Sequence, residues 1–289
     1  KSTIQMSSHN LSKIPLGDLD VVGYSVAGEE TVVAVPQLDV CFDVGKAPDQ
    51  FIAINHVLLT HGHMDHSAGF AYYLSQRNFC GMSPGTILAP SGLIRTMQEI
   101  LDSWARLDGN RIPAQLVGVK PGDEYAIKPN LFARAFPTRH SPGSVGFTVL
   151  EKRKKLKSEY LGLPGPQLVE IKKQGVPIDT TLEIPLVSYL GDTSYVDFAQ
   201  LDYIVKSRIL IAECTFYEGD HVSRASAGRH MHVRELADLL GRLANEHIIL
   251  SHLTQRTPMG EVRKMLKKHL PHEIHDKVIL LMDRKYRSA

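Results

Sequence analysis

The chain has 289 residues, 43% of them apolar, and a net charge of +2 at neutral pH. That allows one large domain or two small ones, and a charge so near balance neither requires nor excludes a nucleic-acid partner. No run approaches the roughly 20 apolar residues of a membrane span, so no membrane partner is expected.

The three cysteines, Cys41, Cys80 and Cys214, are scattered and suggest no disulfide framework, which points to a reducing compartment. The polar stretch 1–13 lacks the apolar core of a signal peptide. The expected location is therefore the cytoplasm, or an organelle if a leader has been removed.

Val- and Ile-rich runs punctuated by Gly and Pro predict strands over 19–24, 31–35 and 38–42, and a further strand over 57–60. A helix is predicted over 67–76, with Ser67 as its N-cap. A short strand at 87–89 precedes a helix over 91–107, whose apolar face carries Leu93, Ile94, Met97, Ile100, Leu101 and Trp104. Strands follow at 115–119, 125–127, 131–136 and 145–150, and then a charged, Gly/Pro-rich interruption over 151–184. Strands resume at 186–190 and 209–212. A helix over 232–245, a strand at 248–251, a helix over 259–269 and a strand at 278–282 close the chain. Two β-rich halves, each with helices, fit a four-layer α/β/β/α sandwich read as one domain over 1–289, with 151–184 as an inserted arm.

The chemistry concentrates in Thr60-His61-Gly62-His63-Met64-Asp65-His66, directly after the apolar run Val57-Leu58-Leu59. Three imidazoles and a carboxylate in one loop behind a strand mark a metal site. One loop cannot supply two ions, and ligands in layered α/β folds gather at one sheet edge. His140, Asp192 and His252 each stand just past an apolar strand and complete the set. His61, His63 and His140 are assigned to one ion, and Asp65, His66 and His252 to a second, with Asp192 bridging. Nitrogen and oxygen donors without thiolate suit two Zn²⁺, with Mn²⁺ or Fe²⁺ as alternatives. Asp43, after another strand, would orient a ligand histidine or the motif loop, or else is simply a turn Asp before Gly45. His9, His56, His221, His247, His269, His272 and His275 fall outside this pattern and read as surface or core residues.

Taken together, His61-x-His63-x-Asp65-His66, His140, Gly191-Asp192-Thr193 and Ser251-His252 resemble the metallo-β-lactamase superfamily, whose fold is the αββα sandwich. The chain looks most like the ribonuclease Z branch, the tRNA 3′-processing endonucleases. The long stretch between His140 and Asp192 resembles that branch's substrate arm, with Gly165-Pro166 as its Gly-Pro motif. Lys154, Lys155, Lys157, Lys172 and Lys173 would then grip RNA phosphates. Ala212-Glu213-Cys214-Thr215-Phe216 is similar to the branch's Glu-Ala-Thr-Phe motif. The resemblance implies that Glu213 orients a proton-donating histidine, His230, with His232 as the other candidate. Ser251 to Arg256 resembles a stretch that meets phosphate. The family's Gly-rich opening is replaced here by Gly23-Tyr24-Ser25-Val26-Ala27-Gly28.

The expected activity is that of a dinuclear metal-dependent phosphodiesterase cutting RNA, with precursor tRNA as partner. Asp65 or Asp192 would orient the attacking hydroxide, and His230 would protonate the leaving oxygen. Two other readings stand beside it: a small-molecule hydrolase of lactones, thioesters or β-lactams, and a non-catalytic RNA-binding scaffold. The resemblance also implies a possible homodimer in which one subunit's arm serves the other's site.

Overall fold

Valine and leucine runs that are buried on both faces organise this chain into layers. The computed structural model describes residues 11–287; His9 and most of the stretch 1–13 lie outside the described residues. A first seven-stranded sheet contains β1 (Ser12–Leu16), β2 (Leu19–Val26), β3 (Glu30–Val35), β4 (Val40–Phe42), β5 (His56–Leu58), β6 (Thr86–Pro90) and β7 (Gln115–Val119), side by side in chain order. It is antiparallel from β1 to β4 and parallel from β4 to β7. The parallel crossovers carry α1 (Met64–Ser67), α2 (Phe70–Phe79) and α3 (Ile94–Asp108).

The second seven-stranded sheet repeats the scheme. It contains β8 (Glu124–Lys128), β9 (Leu131–Pro137), β10 (Val145–Leu156), β11 (Asp179–Tyr189), β12 (Ile209–Glu213), β13 (His247–Ser251) and β14 (Val278–Leu280), again in order. β8 to β11 are antiparallel and β11 to β14 parallel. The connections carry α4 (Gly165–Lys173), α5 (Asp202–Val205), α6 (Val222–Gly228), α7 (Val233–Leu240) and α8 (Met259–His269).

Strand alternation builds the layers. Val33, Val35, Val40, Phe42, Leu58 and Leu88 join the core shared with the second sheet, where Phe42 stacks on Tyr189 with ring centroids 4.9 Å apart. Their neighbours Val32, Ala34, Cys41, Val57, Leu59 and Ile87 pack instead with Phe70, Tyr73, Leu74, Met97 and Leu101 of α2 and α3. A strand covered on both sides reads as a continuous apolar run, which is why these strands are visible in the sequence. On the far side, Leu236, Leu239 and Leu240 of α7 and Val262 and Leu266 of α8 cover the second sheet. The architecture is the expected αββα sandwich.

The structure corrects several local expectations. The helix expected over 67–76 is two helices, and Ser67 ends the first rather than capping the second. Its hydroxyl donates back to the carbonyls of Gly62 and His63. The break falls at Gly69, whose amide donates to Gly45 O at 2.7 Å; a Cβ there would lie 2.4 Å from the Ala47 amide nitrogen. The helix expected over 232–245 ends at Leu240, with His232 as its N-cap. On α3, Ile100 and Trp104 are 39% and 52% exposed, so only Met97 and Leu101 of the expected face are buried.

The interruption over 151–184 is largely ordered. β10 continues to Leu156 and pairs with β11 from Asp179, so the arm is a two-stranded ribbon with α4 at its tip. Neither face of the ribbon packs on a core, and no apolar periodicity announces it. β1, α4, α5 and α6 are likewise not anticipated by periodicity.

If the Phe42–Tyr189 contact holds the sheets together, Phe42→Ala should lower unfolding free energy by about 3–5 kcal/mol in urea titrations. A loss below about 1 kcal/mol would place the critical inter-sheet packing elsewhere.

Candidate metal centre

β4, β5, β11, β12 and β13 end at one edge of the sandwich, and the turns after them bring the polar residues together. Asp43 follows β4, His61 to His66 follow β5, Asp192 follows β11, Glu213 ends β12 and His252 follows β13. His140 joins them from the turn between β9 and β10.

The focus is Asp192 Oδ2. It lies 3.2 Å from both His66 Nε2 and His252 Nε2, 3.8 Å from His140 Nε2 and 3.9 Å from His61 Nε2. Asp65 Oδ2 lies 3.7 Å from His66 Nε2 and 3.5 Å from His252 Nε2. His140 Nε2 is 3.0 Å from His63 Nδ1. Ligand atoms of His61, His63 and His140 form one compact group, and those of Asp65, His66 and His252 another. The structure thus brings all seven sequence-derived candidates together, with Asp192 between the groups.

Four of the five imidazoles are set by a partner on the other nitrogen. His66 Nδ1 bonds Asp43 Oδ2 at 2.7 Å, and His140 Nδ1 bonds the Arg229 carbonyl at 3.1 Å. His61 Nδ1 meets Thr60 Oγ1 at 2.9 Å, and that hydroxyl donates to Asp43 at 2.9 Å. His252 Nδ1 meets Thr215 Oγ1 at 3.0 Å, and that hydroxyl donates to Glu213 at 2.6 Å. With Nδ1 carrying the hydrogen, the lone pair of Nε2 faces the centre. The Nε2 atoms of His61, His66 and His252 are buried and have no hydrogen-bond partner among the described residues. Buried nitrogens are rarely left so. Inward-facing lone pairs around a carboxylate are what divalent cations require, so this donor set fits them.

The charges are tightly balanced. Burial disfavours the charged imidazole of His61 and holds its pKa well below the usual value. Burial would likewise push the Asp192 carboxyl up, but His252 and His66 hold it well below the ordinary carboxylate range. Burial also opposes charge on His66, yet Asp192 and Asp43 raise its pKa well above normal, so metal binding there must displace a proton.

Asp43 accepts from both a ligand histidine and the motif loop, through His66 Nδ1 and the Thr60 amide, and also from Tyr189 OH. Glu213 accepts from the Thr193 and Met231 amides, from Thr215 Oγ1 and from His230 Nδ1 at 3.0 Å. His230 stacks on His252 and stands 4.0 Å from Asp192 Oδ2. Burial opposes its charge, but Glu213 and Asp192 raise its pKa to about 9. His232 faces elsewhere: Nδ1 accepts from the Arg234 amide and Nε2 donates to Glu218 O, so it caps α7.

The arm lysines are remote from this edge. Lys154, Lys155, Lys172 and Lys173 are exposed and Lys157 is half-buried. Lys152 and Arg153 of the same run are instead tied to Glu124 and Glu151.

Sequence reading misses Thr60, Thr215, Tyr189, Arg229 and Ser25, whose hydroxyl accepts from the His252 amide at 2.7 Å. Thr60 and Thr215 adjoin motif residues, which is the only signal they give. Asp43, Arg229 and His252 all have left-handed backbones, at φ of 54°, 54° and 55°. Such strain gathers at functional sites.

Residues 33–253 match the family described as "Beta-lactamase superfamily domain". The chain is also 31% identical over 265 residues to tRNase Z TRZ1 of Arabidopsis thaliana, covering 90% of this chain and 94% of that one. The chain belongs to the beta-lactamase superfamily, in its ribonuclease Z branch. Solved structures of the superfamily share the fold. The metallo-beta-lactamase fold protein YhfI from Bacillus subtilis superposes with a TM-score of 0.62 at 15% identity, covering 89% of this chain and 92% of its own. The short form of human tRNase Z gives 0.54 at 18% identity, covering 92% and 91%. The superfamily's fold implies divalent metal ions, and the His/Asp groups at this edge are the donors for them.

Asp43→Asn keeps the volume but loses an acceptor shared by His66 and Thr60. Bound metal, measured against a competing chelator, should weaken roughly 10–100-fold. Unchanged affinity would reduce Asp43 to a turn residue.

Proposed function

We propose that this chain is a metal-dependent endoribonuclease that removes the 3′ trailer from precursor tRNA. The observation that carries the reading is the Glu213–His230 pair, set beside Asp192 in a chain of the ribonuclease Z branch. A hydrolase of lactones, thioesters or β-lactams has no need of that pair or of a basic arm, so the small-molecule reading is not favoured.

In this reading His61, His63 and His140 would hold one ion and Asp65, His66 and His252 the second, with Asp192 available to both groups. The Gly28 amide, 3.0 Å from Asp65 Oδ2, fixes that carboxylate. Bound divalent ions, zinc by donor type with manganese or iron as alternatives, would polarise a phosphate oxygen and supply hydroxide for in-line attack. Asp65 or Asp192 orients the attacking oxygen. Glu213 holds the Nδ1 proton of His230, which leaves Nε2 to deliver a proton to the departing ribose oxygen. Glu213 and Asp192 keep His230 protonated, the state a proton donor needs.

Lys154, Lys155, Lys157, Lys172 and Lys173 bind RNA phosphates away from the cut. The arm leaves the sandwich at the end of β10 and returns at the start of β11, opposite the metal ligands, a placement that suits the far part of a long RNA or the site of a second copy of the chain. We read residues 1–289 as one domain with 151–184 inserted. No helix among the described residues is long and apolar enough to cross a membrane.

On a 3′-extended tRNA transcript, His230→Ala should lower kcat about 10²–10⁴-fold with metal content unchanged. Its loss on bis(p-nitrophenyl) phosphate should be far smaller, because p-nitrophenolate departs without a proton. Equal losses on both substrates would remove His230 from the proton-donor role, and turnover of a lactone panel without RNA cleavage would overturn the assignment. Deleting 157–178 should raise KM for the transcript and leave bis(p-nitrophenyl) phosphate hydrolysis intact. An unchanged transcript KM would remove the arm from RNA binding.

A further inference from the structure

β12, β13 and β14 are adjacent and parallel, so their C-terminal ends follow one another along the catalytic edge. The first ends in Glu213 and the second leads to His252. The third leads to Met282, and the segment beyond Met282 takes no part in metal binding or proton transfer. Arg284 and Arg287, with Arg263 of α8, surround a pocket of about 360 Å³ that is otherwise lined by Met259 and Met282.

Arg263 is matched by Asp283 at 2.9 Å. Arg284 and Arg287 are exposed, and neither has a carboxylate within ion-pair distance among the described residues. Arg287 donates to the Met282 carbonyl at 3.4 Å. The pocket also adjoins the start of α8, whose first turn has no side-chain cap and whose Glu261 is drawn to Lys264 at 3.4 Å. Helix starts favour anions, and the planar guanidinium fork matches a phosphate.

Ser25 ties this pocket to the metal centre. Its amide donates to Met282 Sδ at 3.3 Å, and its hydroxyl accepts from the His252 amide at 2.7 Å. Pocket and ligand are thus neighbours across one or two strand spacings, on the order of 10 Å.

We propose that Arg263, Arg284 and Arg287 form a subsite for one backbone phosphate of the RNA, roughly two or three nucleotides from the scissile bond. The proposal rests on the ribonuclease reading and deepens it by giving the substrate a second anchor on the catalytic edge, independent of the arm.

The test uses the full chain and two double variants, Arg284→Ala with Arg287→Ala and Arg284→Lys with Arg287→Lys. Cleavage of the 3′-extended transcript is followed over a range of salt, with bis(p-nitrophenyl) phosphate in parallel, transcript binding by fluorescence anisotropy, and calorimetric titration with inorganic phosphate. The alanine pair should raise the transcript KM and Kd roughly tenfold and flatten the salt dependence of log(kcat/KM) by about one. It should leave kcat and the small diester within twofold, and the lysine pair should recover part of the loss. A transcript KM and Kd within twofold of wild type would overturn the subsite, as would equal losses on both substrates. Inorganic phosphate binding that the alanine pair abolishes, with RNA cleavage unaffected, would assign the pocket to free phosphate instead. Wild type that hydrolyses the diester but neither binds nor cuts RNA would sink the ribonuclease reading itself, and this proposal with it.

Discussion

One carboxylate oxygen organises this molecule. Asp192 Oδ2 has five imidazole nitrogens within 4.0 Å, from His61, His66, His140, His230 and His252. Crowding buried polar atoms around a single point is costly unless each is fixed and compensated. The backbone that delivers Asp192 is correspondingly constrained. Gly191 has φ of 62°, and a Cβ on it would lie 2.9 Å from Thr60 Cγ2. Thr193 then locks the turn, with its amide donating to Glu213 and its hydroxyl accepting from the Arg139 amide. The Gly-Asp-Thr sequence is therefore a geometric requirement of bringing two sheet edges together at one atom.

The two sheets solve the same positioning problem in the same way. In the first, Asp43 collects His66 and Thr60, and Thr60 holds His61. In the second, Glu213 collects His230 and Thr215, and Thr215 holds His252. Each carboxylate is buried and accepts from four donor groups, so neither is left uncompensated. Such networks strengthen cooperatively and resist movement of any single member. They also join roles: the histidine read as proton donor and a histidine read as metal ligand share one carboxylate through Thr215. His252 is held further in its left-handed backbone by Ser25.

Legibility in the sequence comes from locality. The motif after β5 and the single ligand-type residues after β9, β11 and β13 stand next to apolar runs, and strand ends are where layered folds put sites. The strands themselves were legible because both faces are buried. The partners that set each imidazole were not. Tyr189 is 146 positions from Asp43, and Ser25 is 227 from His252, so their contacts exist only once the sheets stack. The split between α1 and α2 arises from backbone crossing backbone at Gly69 and Ala47, which no helical periodicity records. The arm misled for the opposite reason. Its strands are held by pairing and by ion pairs such as Lys152–Glu124 and Arg134–Glu183, and a ribbon with no core face has no apolar alternation to show.

That ribbon bears on the size of the substrate. β10 starts at the catalytic edge, where the Val145 amide donates to Thr60 O, and runs for 12 residues. At about 3.3 Å per residue it carries the arm roughly 40 Å from the metal ligands. β9 pairs with β10 only as far as Glu151, so beyond that point the β10–β11 ribbon stands without its β9 neighbour. An exposed ribbon that buries no core adds little to folding, and its lysines gain nothing from neighbours they do not touch. A ligand that reached it would account for its presence. A lactone or β-lactam at the metal centre does not extend that far, whereas a folded RNA does, and so does the active site of a second copy of this chain. Scale therefore favours a macromolecular substrate independently of the ligand chemistry at Asp192.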